Sequence, residues 1–107
     1  MTEKNKYHIR ISRQARNDLK SIVEYIRDIL KEPSIARKYV QMMQKEIRVL
    51  EYCPQKFAII DDETIRDLRI RKLVVKKYVI FYRIDEAKKV VKVDRILYGA
   101  SNWINEL

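Results

Sequence analysis

The stretch Arg69-Ile70-Arg71-Lys72-Leu73-Val74-Val75-Lys76-Lys77-Tyr78-Val79-Ile80-Phe81-Tyr82-Arg83-Ile84 is the most informative part of this sequence. Apolar and aromatic side chains alternate along it as they do in β-strands, and five basic residues precede the run that begins at Tyr78. A second run of the same kind follows at residues 90–98. The stretch therefore predicts antiparallel strands with cations along their approach, a surface suited to a polyanion or to an acidic protein.

The composition indicates one strongly basic domain. The chain has 107 residues and carries 24 Lys and Arg against 15 Asp and Glu, a formal net charge of +9. A chain of this length has room for one core, so we predict a single domain over residues 1–107. The positive charge predicts a partner that is nucleic acid, an acidic protein or an anionic surface.

Several classes of protein are disfavoured by what the sequence lacks. Cys53 is the only cysteine and His8 the only histidine, so we expect no intramolecular disulfide, no metal site and no His-based catalytic triad. Gly99 is the only glycine, which leaves no phosphate-binding loop and no expected cofactor. No apolar run approaches the roughly 18 residues of a membrane span, and residues 1–6 do not read as a signal peptide. We expect a soluble, cytoplasmic protein without a membrane partner.

The first half of the chain predicts a strand followed by two helices. Residues 7–12 alternate as a short strand does, and Ser12 suits the N-cap of a helix. Apolar residues recur at steps of three and four from Ala15 to Ile29 or Leu30, and again over residues 36–50. A break at residues 31–34 contains Pro33, which suits the first turn of a helix. We therefore predict an antiparallel helical hairpin.

The second half predicts a meander. We place strands at residues 65–73, 75–84 and 89–97, with a turn at 85–88, and a short helix or extended tail at 102–107. The predicted class is α+β, in the order β-α-α-β-β-β, with an antiparallel sheet and the helical hairpin packed on one face. The opposite face is expected to be partly open, and we expect the functional surface there.

The basic strip is the strongest chemical signal. Six of the twelve residues at 66–77 are Lys or Arg. Such cations can hold phosphate oxygens, although a solvated sheet edge is the alternative explanation. Tyr78, Tyr82 and Tyr98 offer rings that either stack on bases or belong to the core. The carboxylates at 61–63, 67 and 85 fall in or near predicted turns and are expected to be solvated.

Four short patterns follow one another along residues 7–103. They are Tyr7-x-Ile9-x-Ile11-Ser12-x-x-Ala15-x-x-Asp18-Leu19-x-x-Ile22-x-x-Tyr25-Ile26, then Pro33-x-x-Ala36 with Leu50-x-x-x-Pro54, then Arg71-x-Leu73 with Tyr78-x-Ile80-Phe81-Tyr82, and finally Val93-x-Arg95-Ile96-Leu97-Tyr98. In this order they resemble the RelE/ParE superfamily of toxins from bacterial type II toxin–antitoxin modules. The resemblance implies a toxin that inhibits growth and is neutralised by an acidic antitoxin encoded beside it.

The superfamily divides by target. RelE-like members cut mRNA in the ribosomal A site, whereas ParE-like members inhibit DNA gyrase. Nuclease-branch members often carry Arg immediately after the first Tyr of the Tyr-x-x-x-Tyr strand, and this chain has Val79 there. Loss of that guanidinium removes a charge that would hold phosphate, which favours the ParE-like branch. A basic interaction domain without toxicity is the third alternative.

Each branch implies its own candidate residues. For gyrase as the target, which would make the chain a binding protein, the expected contacts are Arg69, Arg71, Lys76, Lys77, Arg83 and Trp103. For a metal-independent endoribonuclease acting on ribosome-bound mRNA, the candidates are Arg71, Lys72, Lys76, Arg83 and Tyr98, as phosphate clamps, charge stabilisers and proton donors. Trp103 is expected either to be an exposed anchor or to pack back onto the domain.

Overall fold

The structure, a computed structural model, describes residues 6–99 and 103–107. Its main elements are β1 (His8–Ile11), α1 (Arg13–Glu24), α2 (Pro33–Val49), β2 (Arg71–Val75), β3 (Tyr78–Asp85) and β4 (Val90–Tyr98). A π-helical turn, Tyr25–Ile29, extends α1, and short 3-10 turns lie at Pro54–Lys56, Arg66–Leu68 and Trp103–Glu106. The predicted α+β class and the order β-α-α-β-β-β are confirmed. In the described ranges, no helix has the length and apolar character needed to cross a membrane.

The helical hairpin forms where the sequence predicts it. The Ser12 hydroxyl accepts a hydrogen bond from the Ala15 N–H at 2.9 Å and donates one to the Asp94 carbonyl at 2.8 Å. It therefore caps α1 and ties the start of the helix to β4. Pro33 opens α2, where its missing N–H is not needed.

The end of α1 differs from the predicted stripe. Ile26 is buried, but Ile29 is 67% exposed and Leu30 is 51% exposed. The Leu30 N–H donates to the Tyr25 carbonyl, five residues back, so this turn is wider than an α-helical one. Because the extra residue rotates the following side chains, those beyond Ile26 leave the buried face.

The sheet has the strand order β1-β4-β3-β2. The meander of β2, β3 and β4 is antiparallel, as predicted. β1 runs parallel to β4, so the sheet is mixed and the prediction of a wholly antiparallel sheet is wrong for this strand. Alternation of apolar and polar residues determines which face a side chain takes, but it does not determine the direction of the neighbouring strand.

The start of β2 also differs from the prediction, which placed a strand at 65–73. A 3-10 turn occupies Arg66–Leu68, and Arg69 has a left-handed backbone with φ 55°. These conformations cannot join a β-ladder, so the strand begins at Arg71. The predicted strands at 75–84 and 89–97 correspond to β3 and β4. In the predicted C-terminal helix or tail, residue 102 lies outside the described residues, as do residues 1–5 and residues 100–101.

The sheet carries a core on each face. Helices and sheet enclose the larger core: Tyr7, Ala15, Met43, Ile47, Leu50, Leu73, Val75, Ile80, Tyr82, Val91, Val93 and Ile96. On the other face, a second core contains Ile60, Ile65, Ile70, Val79 and Phe81, with Leu97, Trp103, Ile104 and Leu107 packed against it. The face that we expected to be open is therefore partly covered, and its end near the β2–β3 turn is one of the places where a groove remains.

Candidate functional site

A groove of about 490 Å³ lies beside the β2–β3 turn, on the sheet face opposite the helices. We call it the lysine groove. Its lining residues are Lys72, Val74, Lys76, Lys77, Val79, Tyr98, Gly99 and Trp103, and none of them carries a carboxylate.

Strand alternation and a tight turn bring the three lysines together. Along β2, Leu73 and Val75 are buried under the helical hairpin, so Lys72 points to the opposite face. Lys76 and Lys77 form the two-residue turn into β3, and Lys76 has φ 56°. A left-handed backbone costs a non-glycine residue about 1–2 kcal/mol. Lys76 therefore occupies a position at which glycine would suit the backbone better.

Two aromatic residues border the groove, Trp103 on the same face of the sheet and Tyr98 from the helix-facing side, where it pairs with Tyr78 across the strands. Tyr98, at the end of β4, is 49% exposed, and its ring centroid lies 5.9 Å from that of Tyr78. Trp103 packs on Phe81 with a centroid distance of 5.1 Å, and the Lys72 ammonium lies 5.7 Å from the Trp103 ring centroid. Of the two alternatives for Trp103, the side chain packs back onto the domain while keeping one side on the groove.

Gly99 closes the groove at the turn. Its N–H donates to the Lys77 carbonyl at 2.8 Å. A Cβ at this position would lie 3.2 Å from the same carbonyl oxygen, closer than ordinary van der Waals contact. The only glycine of the chain therefore allows the end of β4 to approach the turn that carries Lys76 and Lys77.

The lysines of the groove differ from the arginines in their electrostatic partners. Within residues 6–99 and 103–107, every ion pair uses an arginine: Arg27–Asp28, Arg66–Asp61, Arg83–Asp94, Arg95–Asp18 and Arg95–Glu106. No lysine in those ranges forms one, so the charges of Lys72, Lys76 and Lys77 are not neutralised by a carboxylate of the described chain. The groove is thus a local source of positive potential.

Three arginines that the sequence proposes for the site lie elsewhere. The Arg71 guanidinium donates to the carbonyls of Phe57 at 2.6 Å and Gln55 at 3.3 Å, which anchors that loop to β2. Arg83 donates to both carboxylate oxygens of Asp94 at 2.7 and 2.9 Å, and these hydrogen bonds raise the pKa of Arg83. Arg69 is exposed at the opposite end of β2 from Lys76. Of the two predicted sets, the structure brings together Lys72, Lys76, Lys77, Tyr98 and Trp103, and it separates Arg69, Arg71 and Arg83 from them.

A second cavity, of about 640 Å³, lies between the helical hairpin and the same end of the sheet. We call it the tyrosine groove. Its lining residues are Ser21, Ile22, Tyr25, Ile26, Leu30, Glu32, Ile35, Tyr39, Lys77, Tyr78 and Tyr98. Tyr39 and Tyr78 meet edge to face at 5.9 Å, and burial together with the neighbouring tyrosines raises the pKa of Tyr78. Lys77 and Tyr98 line both grooves, which makes the two cavities contiguous.

Sequence reasoning missed the tyrosine groove. The sequence does contain a signal for this groove: apolar residues continue past Ile26, although the buried stripe of α1 does not require them there. Among the described residues, no three His, Cys, Asp or Glu side chains come together as a metal site requires. The polar groups of both grooves are mainly ammonium and phenol groups, which bind anions and rings rather than cations.

Comparison with known proteins shows which family and which solved structures this chain is similar to. The model of the family described as "ParE toxin of type II toxin-antitoxin system, parDE" matches residues 9–103. No curated protein matches the sequence.

Three solved structures have a similar fold. A chain of the chromosomal ParDE TA system from P. aeruginosa is 19% identical to this chain. The match covers 88% of this chain and 97% of that chain, with a TM-score of 0.69. The RelBE2 toxin–antitoxin complex from Mycobacterium tuberculosis has 21% identity, coverages of 90% and 94%, and a TM-score of 0.60. The archaeal RelE–RelB complex from Pyrococcus horikoshii OT3 has 17% identity, coverages of 89% and 97%, and a TM-score of 0.53. At these identities the likeness shows the fold alone.

Proposed function

The chain belongs to the ParE toxin family of type II toxin–antitoxin systems, and from this premise we propose that it inhibits growth by binding DNA gyrase and is neutralised by a cognate acidic antitoxin. The lysine groove is the surface through which it acts. The alternative within the superfamily is a ribosome-dependent endoribonuclease.

One observation favours gyrase binding over RNA cleavage: the arginines that a nuclease would use are already hydrogen-bonded within the domain. Arg71 is bound to backbone carbonyls and Arg83 to Asp94, so neither guanidinium faces the groove that holds Tyr98. Val79, at the position where nuclease-branch toxins often carry Arg, is 7% exposed and packs in the second core. Stabilising a phosphorane-like transition state requires cations aimed at the reacting phosphate. The arrangement therefore favours a toxin that binds its target over one that cleaves RNA.

The lysine groove has the properties of a protein-binding surface as well. Its three ammonium groups attract an acidic patch and accelerate the encounter with it. Tyr98 and Trp103 add the large, rigid contact area that binding hot spots use. The three lysines, Tyr98 and Trp103 lie at one end of the sheet, so one large partner can contact all of them.

The tyrosine groove suits the antitoxin. Tyr25 is 50% exposed and Leu30 is 51% exposed, so the tip of the hairpin presents apolar surface beside the cavity. An amphipathic helix can lay its apolar face in such a groove while its acidic side chains face the net positive charge of +9. Because Lys77 and Tyr98 line both grooves, an antitoxin seated here would also cover part of the lysine groove.

The experiment measures the supercoiling activity of purified bacterial DNA gyrase with increasing toxin. It uses two variants of equal charge. The groove variant is Lys72→Gln/Lys76→Gln/Lys77→Gln, and the hairpin variant is Arg37→Gln/Lys38→Gln/Lys45→Gln, whose side chains are exposed on α2. We expect the unmodified chain and the hairpin variant to inhibit gyrase. The groove variant should need at least a tenfold higher concentration for the same inhibition, because it has lost contacts with the target.

Cultures that express the toxin provide the decisive comparison with the ribonuclease alternative. New mRNA ends within translated codons, with supercoiling unchanged, would replace the gyrase proposal by the ribosomal one. Normal growth and normal supercoiling would leave a basic interaction domain. Inhibition that is equal for the groove and hairpin variants would keep gyrase as the target but remove the lysine groove from the mechanism.

A further inference from the structure

We propose that the surface at the β1 edge of the sheet binds the phosphate backbone of double-stranded DNA. Its cations are Arg10 in β1, Lys92 in β4 and Arg13 at the start of α1, and we call them the edge cations. None of the three is among the residues that line the lysine groove. The choice of DNA over RNA rests on the proposed function, because gyrase acts on duplex DNA.

Strand register brings the cations of this surface into a row. Arg10 is the register partner of Lys92, and Lys92 is the register partner of Arg83 in β3. The residues before and after each of these three pack in the larger core, so the three side chains point to the face opposite the helices. Because neighbouring strands are about 4.8 Å apart, the row is about 10 Å long.

Folding alone does not account for this row. Like charges that lie directly opposite each other on neighbouring strands repel and destabilise a sheet. Asp94 compensates Arg83 through two hydrogen bonds, but within residues 6–99 and 103–107 neither Arg10 nor Lys92 forms an ion pair. Protection of a sheet edge against aggregation explains a cation on β1, whereas β4 is an inner strand. The charge of Lys92 therefore indicates a ligand rather than edge protection.

The start of α1 adds positive charge beside the row. The Ser12 hydroxyl donates to the Asp94 carbonyl, so the helix begins next to β4. The first turn of α1 contains Arg13, which is exposed, and no acidic residue, although the start of a helix favours negative side chains. The strands β1, β3 and β4 contain two carboxylates, Asp85 and Asp94, against the three edge cations and Arg83. The surface is therefore a second source of positive potential.

The lack of exposed apolar groups around the row favours a duplex over other anionic partners. The exposed large apolar side chains of the described ranges all lie outside the strand segments 8–11, 82–84 and 91–93. Leu68 shares a cavity with Arg83, but one aliphatic side chain provides neither an anchor ring nor a stacking surface. Protein hot spots, membrane insertion and stacking on unpaired bases all require such groups. The phosphate backbone of a duplex requires only cations.

The test is fluorescence anisotropy with labelled duplex DNA of about 20 base pairs, which is about two helical turns. The edge variant is Arg10→Gln/Arg13→Gln/Lys92→Gln, which leaves the Arg83–Asp94 pair intact. The groove variant and the hairpin variant remove the same charge elsewhere and serve as its controls. Circular dichroism and urea unfolding verify that all three variants are folded.

The edge variant should bind the duplex at least tenfold more weakly than the groove and hairpin variants, because it has lost its phosphate contacts. Each phosphate contact contributes about 0.9 to the slope of log K against log salt, so the slope should become shallower by about 2 to 3. Two duplexes of unrelated sequence should bind equally, because phosphates carry no sequence information. Arg10→Lys/Lys92→Arg keeps both charges and should bind as the unmodified chain does.

Three results would overturn the proposal. Equal losses in the edge, groove and hairpin variants would mean a diffuse field of the whole protein rather than a site. Tighter binding of duplex RNA or of single-stranded DNA than of duplex DNA would contradict the ligand. Competition by oligoglutamate as strong as by unlabelled duplex would make the surface a site for an acidic protein. The assay contains no gyrase, so its outcome does not depend on whether gyrase inhibition is found.

Discussion

The carboxylate of Asp18 on α1 holds the guanidinium of Arg95 on β4 through two hydrogen bonds of 2.8 and 2.9 Å. The same carboxylate accepts the Ile96 N–H at 2.9 Å. The side chains of Arg95 and Asp18 are only 16% and 13% exposed. Arg95 also donates to the backbone carbonyl of Glu106 at 3.1 Å, so one ion pair connects the first helix, the central sheet and the C-terminal turn.

Asp18→Asn should lower the free energy of unfolding by about 3 kcal/mol, because it leaves the charge of Arg95 without its partner in a poorly hydrated place. Urea denaturation measures the change. The matched control is Asp28→Asn, which breaks a similar two-bond pair with Arg27 on the surface. Its effect should be much smaller, because water solvates both partners. Equal effects of the two substitutions would contradict the structural role of the Asp18–Arg95 pair.

The free energy of unfolding should fall at high pH as the Tyr82 hydroxyl loses its proton. The side chain is fully buried and its hydroxyl donates to the Pro54 carbonyl at 2.6 Å, and burial raises the pKa of Tyr82 to about 12. The unfolded chain loses this proton near pH 10 and the folded chain only near pH 12. Tyr82 therefore makes its full contribution to the free energy of unfolding below about pH 10. About 2–3 kcal/mol of that contribution is lost as the pH rises to 12.

Tyr82→Phe tests that dependence. The variant should be less stable by about 1 kcal/mol near neutral pH, since the Pro54 carbonyl loses its donor. Urea unfolding from pH 8 to pH 12 should show the difference between the two proteins shrinking above about pH 10 and changing sign toward pH 12, because only the unmodified chain loses the Tyr82 contribution. A difference that stays constant with pH would mean that Tyr82 does not titrate as proposed.

Glycine at the left-handed turns should stabilise the fold. Lys31 has φ 55° at the end of the π-helical turn, and Lys76 has φ 56° at the β2–β3 turn. Lys31→Gly and Lys76→Gly should each raise the free energy of unfolding by about 1 kcal/mol, measured by thermal or urea unfolding. Only Lys76→Gly should weaken growth inhibition, because Lys76 lines the lysine groove and Lys31 does not. If Lys31→Gly weakens growth inhibition equally, net charge rather than the groove is responsible.

Arg71 and Arg69 should respond differently to neutralisation. Arg71→Gln removes the donor to the Phe57 and Gln55 carbonyls and should cost about 1–2 kcal/mol of stability. Arg69→Gln alters an exposed side chain and should change stability by less than about 0.5 kcal/mol. Urea unfolding and a growth assay on both variants separate lost folding from lost target contact. Growth arrest that Arg69→Gln abolishes without a change in stability would restore Arg69 to the acting surface.

Local patterns in the sequence predicted most of the fold. The N-cap at Ser12, the buried stripe of α2 and the strands β3 and β4 follow from short-range periodicity and capping chemistry, which act over a few residues. The four patterns that resemble RelE/ParE toxins lie on these same elements. The family could therefore be inferred before any contact was known.

The candidate site was only half predictable, because the sequence shows which residues are charged but not what neutralises them. Arg95 meets Asp18 across 77 positions, and Arg83 meets Asp94 across 11 positions, where a β-bulge pairs Phe81 with Arg95 and Tyr82 with Val93. Such partnerships depend on the register and packing of distant segments. They remove the arginines from the set of available cations.

Sequence alone determined the helices, most of the strands, the net positive charge and the family, since each of these is encoded locally or in composition. The tertiary structure decided the parallel pairing of β1, the packing of Trp103 on Phe81 and the position of Lys72 and Tyr98 at the border of one groove. These features arise from contacts between segments far apart in the chain, where strand direction, burial and ion pairing are settled together.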